Sequence, residues 1–396
     1  MIPTLRTVYN ENFSQSRYDV MLAWLSEQHD CTPNFHVSET PIFISAELRD
    51  HLMAASADVT KVITAPGFSE RAEWALLPDQ RVPGRTPHPL FIQMDYGLCK
   101  MADGSIEPRL IEAQGFPSLY FFQELLGRAY RKYFDIPEGY GSFFNGLDRE
   151  RYHELLRACI LNGEDPRHVV LLEVEPEKQT TRIDFVVACD QLGIAELCIS
   201  DLILEGRELF YLRDGVKTKV KRIFNRVIFD ELLQRPDLER QFNMTEDVDV
   251  DWAGHPEWFF MLSKHTLPEF DSRYVPKSFF LSDPDLPTDL ENYVLKPLYS
   301  FAGAGVVLNP TRAEINAVGN KDHYILQEKV EYAPLIKTLD EPARAEVRLM
   351  YLWPPDEPEP ILVNNLVRLS KGKMIGVRYN KGKTWVGGSI GYFPQE

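Results

Sequence analysis

Residues 293–310 read YVLKPLYSFAGAGVVLNP, and this stretch decides the fold. An apolar strand delivers Lys296 and gives way at once to a loop of small residues that includes Ser300, Gly303, Ala304 and Gly305. A loop without large side chains folds over a triphosphate and donates backbone N–H groups to it, while a lysine at the strand end brings charge to the same phosphates. A glycine-rich hairpin with a solvated lysine fits the same letters. A Walker A loop does not, because the segment lies between strands and lacks a terminal Gly-Lys-Ser/Thr.

The neighbouring segments shift the balance toward phosphate. ILQEKVEY (325–332) places Gln327, Glu328, Lys329 and Val330 where a hinge strand offers backbone groups and a carboxylate to adenine and ribose. An ordinary strand with alternating faces is the plain alternative. Upstream, FMLSKHTLPEF (260–270) predicts Lys264 on a helix, where it would by itself read as a surface lysine. Downstream, AEVRLMYLW (345–353) is a long strand carrying Arg348, and LVNNLVRLS (362–370) and MIGVRYN (374–380) are predicted as two further strands.

Taken in order, a helical Ser-Lys, a Val-x-Lys-Pro with a small-residue loop, a Gln-Glu hinge and a strand with Arg348 resemble the ATP-grasp family. The resemblance covers about the last third of the chain. It implies that Lys264 and Lys296 contact the nucleotide phosphates and that Gln327 to Val330 hold the adenine.

Such an enzyme uses Mg²⁺ held by late carboxylates, an Asp and a Glu-x-Asn pair, yet no Glu-x-Asn follows MIGVRYN. The N-terminal hairpin FIQMDYGLCK (91–100) and PRLIEAQ (108–114) instead offers Asp95 on one strand, with Glu112 and Gln114 two apart on the next. Residues two apart share a sheet face, and three oxygen ligands from adjacent strands suit a hard cation. Two solvated carboxylates on an edge are the bland alternative. Metal ligands ahead of the nucleotide lysines is the order in the glutathionylspermidine synthetases and their permuted relatives. QMDYGL with PRLIEAQGFPSL, VKRIFNRVIFDEL (220–232) and IGVRYN with GYFP look similar to segments of that family. By that likeness Arg378 stabilises the transferring phosphoryl group or tetrahedral intermediate, where negative charge develops, and Arg348 is an additional phosphate contact. Three features depart from the family. Gln114 stands in place of Asn and Gln93 in place of Arg, and an amidase domain with a Cys-His pair ahead of the synthetase part is not expected.

The rest of the chain is compatible with this expectation. At 396 residues it is long enough for two or three subdomains. An apolar fraction of 44% provides core material. A net charge of −16 repels a phosphate backbone, so nucleic acid is not an expected partner. No apolar run approaches the ~20 residues of a membrane span, and the opening lacks a secretory pattern, so a cytoplasmic protein is expected. Five scattered cysteines without a C-x-x-C pair read as reduced and structural.

Helical spacing is expected over Arg17 to His29, Ser45 to Ser56 and Ser118 to Tyr133. Strand His168 to Val174, helix Thr180 to Leu192 and strand Glu196 to Ile199 form a small βαβ unit without G-x-G-x-x-G, which weakens a dinucleotide oxidoreductase reading.

The expected fold is therefore α/β, a circularly permuted ATP-grasp in three parts. Residues 1–150 hold a helical segment plus the metal-ligand hairpin, 151–250 a Rossmann-like pre-ATP-grasp subdomain, and 251–396 the nucleotide-binding lobes. The expected activity is an ADP-forming carboxylate–amine ligase with ATP and Mg²⁺ as cofactors and small-molecule acid and amine substrates. A nucleotide-binding relative without turnover is the alternative.

Overall fold

Strict alternation in FIQMDYGLCK sends Ile92, Met94, Tyr96 and Leu98 to one side and Gln93, Asp95 and Gly97 to the other. This strand, Phe91–Lys100, pairs with Ile106–Gln114 across a tight turn. There Gly104 adopts φ 86° and the Asp103 carboxylate accepts the Ser105 N–H at 2.9 Å. The hairpin is the edge of a five-stranded antiparallel sheet whose other strands are Arg344–Leu352, Ile361–Ser370 and Gly387–Ser389. Segments from the two ends of the chain thus share one sheet, with Asp95 directly opposite Arg348.

The computed structural model describes residues 1–299, 305–372 and 375–395, without the side chains of Val377 and Arg378. Its architecture is mixed α/β. One face of the five-stranded sheet buries Ile92, Met94, Tyr96, Val347, Leu349 and Val367 against helix Ala46–Ile63, whose Ser45 cap accepts the Leu48 N–H at 3.3 Å. The opposite face carries Gln93, Asp95, Glu112, Glu346, Arg348 and Arg368.

A second sheet is wholly parallel, in the order Asp251–Ala253, Arg222–Asn225, Val169–Glu173, Ala195–Cys198. Helix Arg182–Leu192 makes the crossover and ends at Gly193 with φ 74°. This is the βαβ unit expected from the sequence.

The third sheet, Ser278–Phe280, Tyr324–Glu328, Tyr293–Pro297 and Val307–Leu308, is antiparallel. Leu295 and Leu326 face a small core with Leu281, Leu290 and Ile315, leaving Val294, Lys296, Ile325 and Gln327 on the other face.

Two local expectations are corrected. The helix at Trp258 stops at Met261, because Leu262 leaves helical geometry (φ −114°, ψ 91°), and Ser263 caps a separate 3₁₀ turn, Lys264–Glu269, that carries Lys264. The expected strand MIGVRYN is a 3₁₀ turn over Val377–Asn380. The Asn380 side chain holds that turn back on the preceding strand, accepting from the Lys371 N–H (3.0 Å) and donating to the Ser370 hydroxyl (2.9 Å). Among the described residues, no helix is long and apolar enough to cross a membrane.

Candidate functional site

The polar face of the five-stranded sheet is a chain of charge pairs laid out by strand register. Glu112, Asp95 and Arg348 lie side by side on three successive strands, and Glu346 lies opposite Arg368 one step along. The Arg348 guanidinium donates Nε to Asp95 Oδ1 at 2.6 Å, Nη2 to Oδ2 at 2.8 Å, and Nη1 to Gln93 Oε1 at 2.8 Å. Arg368 donates Nη2 to the same Asp95 Oδ2 and lies 2.5 Å from Glu346 Oε1, while the Tyr332 hydroxyl donates to Glu346 Oε2 at 2.8 Å. Burial alone would raise the Asp95 pKa, but the two guanidinium groups outweigh it and hold the carboxyl below its ordinary range. Burial raises that of Glu346 despite the attraction of Arg368.

Lys296 meets this face from the third sheet. Its Nζ donates to Gln327 Oε1 at 2.5 Å, on the neighbouring strand, and to the Ile111 carbonyl at 3.4 Å, one residue from Glu112. Burial pulls the Lys296 pKa down to about 8, with Lys264 adding repulsion and Glu112 opposing both. Lys264 is buried and also lowered, first by desolvation and against the attraction of Glu112 and Asp230. Two ammonium groups held partly out of water beside one carboxylate form a place where a polyanion would find charge already assembled. Gln327 strengthens that description, since its buried Nε2 has no partner among the described residues.

The expected site residues separate accordingly. Lys264, Lys296, Gln327 and Glu112 come together. Gln114 lies on the same face, opposite Gln93. Gly305 is described, with φ 70°; Ser300, Gly303 and Ala304 lie outside the described residues, as does the Arg378 side chain. In the expected hinge, Glu328 faces away from Gln327 toward Arg109, 3.7 Å from it, and the Lys329 ammonium donates to Asn309 Oδ1 at 2.6 Å. The backbone N–H groups of Glu328 and Lys329 are taken by the carbonyls of Lys277 and Asn292, and Val330 follows half-buried. Arg348, expected on phosphate, has Nε, Nη1 and Nη2 all engaged within the sheet.

Glu346, Arg368 and Tyr332 were absent from the expected site. The signal for the two charged residues was their place inside apolar strands, Arg368 between Val367 and Leu369 and Glu346 between Ala345 and Val347. Two cavities elsewhere share no residue with this cluster. One of about 50 Å³ lies beside Tyr9 and Phe134, and one of about 240 Å³ lies beside His88, Trp258 and Trp353.

No protein-family model matches the sequence, and no curated protein matches it. In structure the chain is similar to a glutathione synthetase-like effector, GSS30, from Globodera pallida, solved in its apo form. The two agree with a TM-score of 0.59 over 97% of this chain and 99% of that one, at 11% identity. A likeness at that identity shows a related fold and nothing of activity.

The cofactors expected from the sequence fit unequally. The lysines and the orphan amide of Gln327 suit a nucleotide polyphosphate. The oxygens proposed for Mg²⁺ do not form an open set, because Asp95 accepts from two guanidinium groups and, among the described residues, only Glu112 and Gln114 remain uncommitted to an arginine. Among the described residues, no three His, Cys, Asp or Glu side chains converge as a metal set.

Proposed function

We propose that the chain is an ADP-forming carboxylate–amine ligase of the ATP-grasp type, its metal-side hairpin permuted ahead of the nucleotide lysines and its parallel sheet lining the substrate side. The observation that carries this reading is the Lys296 contact with the Ile111 carbonyl, which joins the small-residue loop strand to the hairpin strand bearing Glu112. Lys296 and Lys264 hold the β- and γ-phosphates, and Gln327 orients Lys296 from the adjacent strand. The substrate carboxylate attacks the γ-phosphorus, the bond to the β-phosphate oxygen breaks, and an acyl phosphate and ADP result. An amine then adds to the acyl carbon, loses its proton and expels phosphate. Arg368, whose side chain is about two-fifths exposed, and Arg378 offset the charge of the intermediate. Magnesium accompanying ATP would supply charge neutralisation, with Glu112 and Gln114 as its protein oxygens.

Hydroxylamine tests the reading by replacing the amine. With a panel of amino acids, short peptides and polyamine conjugates, ATP and the protein should yield a hydroxamate with one ADP per trapped acyl group. AMP and pyrophosphate as products would overturn it. The second reading, a nucleotide-binding relative without turnover, is favoured by the engagement of Asp95 with Arg348 and Arg368. It predicts ATP binding with no hydroxamate from any acid.

A further inference from the structure

We infer that Arg368 occupies the cation position of this sheet face, so that the nucleotide-free protein takes no divalent ion between Asp95, Glu112 and Glu346. The inference goes beyond the ligase reading: it stands on ion pairs alone, and its test needs no nucleotide.

Three adjacent strands present three carboxylates on one face, Glu112, Asp95 and Glu346. Two of them, Asp95 and Glu346, are buried next to each other and demand a cation, since each would otherwise repel the other in a medium that screens poorly. A bound metal is one solution. Here the solution is covalent to the chain, because Arg368 Nη2 bridges Asp95 Oδ2 and Glu346 Oε1 as a divalent ion would.

The other oxygens of Asp95 and Glu346 are also answered. Arg348 takes the other edge of Asp95, and Tyr332 takes Glu346 Oε2. Burial works against the charge on Arg368, yet Asp95, Glu346 and Glu112 outweigh it and raise its pKa above the ordinary arginine value. Among the described residues, the buried Arg368 Nε has no partner. A guanidinium that leaves one donor unmet in order to bridge two carboxylates is held there by the carboxylates, not by its own hydrogen-bond needs. With Lys264 and Lys296 also beside Glu112, the three carboxylates already face four basic groups. A divalent ion would have to displace the guanidinium from the two carboxylate oxygens that it bridges.

Mn²⁺ alone, titrated into the full chain and followed by electron paramagnetic resonance, tests this. The wild type should leave the free Mn²⁺ signal unchanged. Arg368→Gln should bind Mn²⁺ at least about tenfold more tightly, one unit of opposing charge having been removed, and adding Glu346→Gln should abolish the gain. Circular dichroism establishes that each variant is folded. Failure of a folded Arg368→Gln to gain Mn²⁺ overturns the inference. The wild-type arm decides even if Arg368→Gln does not fold. Saturable Mn²⁺ binding that disappears in Glu112→Gln overturns the inference, and silence upholds it. The ligase reading is scored separately by hydroxamate and ADP.

Discussion

Asp95 and Arg348 stand directly opposite each other on neighbouring antiparallel strands, and two hydrogen bonds of 2.6 and 2.8 Å join carboxylate to guanidinium. The pair is separated by most of the chain in sequence, and it fastens the N-terminal hairpin to the C-terminal strands. Breaking a buried pair from one side leaves the other charge uncompensated, which costs about 3–5 kcal/mol. Asp95→Ala should therefore lower the unfolding free energy by about 3 kcal/mol, the low end of that range because Arg368 can still turn to water. Urea denaturation checks the figure.

The same pair sets an acid limit. The folded-state pKa of Asp95 lies below its unfolded value. Its stabilisation is therefore complete above the ordinary Asp pKa near 3.9 and is lost as pH falls through the depressed folded value. Melting temperatures measured from pH 6 downward should fall more steeply in the wild type than in Asp95→Asn, whose curve should start lower and stay flatter.

Lys296 should behave oppositely. Its folded pKa of about 8 lies below the free-lysine value of 10.5, so the unfolded chain binds the extra proton and stability from this group rises with pH between those values. At pH 7 the charge is a burden on the fold, and Lys296→Met should melt higher than the wild type. A phosphate ligand favours the charged form. Nucleotide binding should thus take up a proton near pH 8 and weaken as pH rises further. Calorimetry in buffers of different ionisation enthalpy measures the uptake, which Lys296→Met should remove.

Gly97 has a steric reason to be glycine. A Cβ there would lie 2.7 Å from Tyr332 Cε1, on the ring whose hydroxyl meets Glu346. Gly97→Ala should cost about 1–3 kcal/mol, the range for overpacking a filled interior. It should also displace the hydroxyl from Glu346. Tyrosine fluorescence and thermal melts report both effects.

In the sequence, strand alternation puts Glu112 and Gln114 on one face, whereas Asp95 joins them only through the strand register, in which an irregularity sets Leu110 opposite Tyr96 and Glu112 opposite Asp95. The shared face of Lys296 and Gln327 emerges only once their two strands pair, with another strand and a helix between them in sequence. Arg368 and Glu346 were missed on the same ground. Periodicity tells which side a charge points to, whereas the order of strands from distant parts of the chain decides what it meets. Asp95 read as an open ligand for that reason, since its two arginines arrive more than two hundred residues later in the sequence. The turn at Val377–Asn380 was hidden in letters that favour a strand, because the bonds that bend it come from one asparagine side chain.

The central claim is that Lys296, Lys264 and Gln327 form a nucleotide site against the hairpin bearing Glu112. Titrating ATP into the wild type and into Lys296→Met by calorimetry tests it most directly. The account predicts one saturable site in the wild type, weakened by about 1.5–3 kcal/mol in the folded variant, the worth of a charged hydrogen bond. A wild type that does not bind ATP, or a Lys296→Met protein that binds it unchanged, would contradict the account.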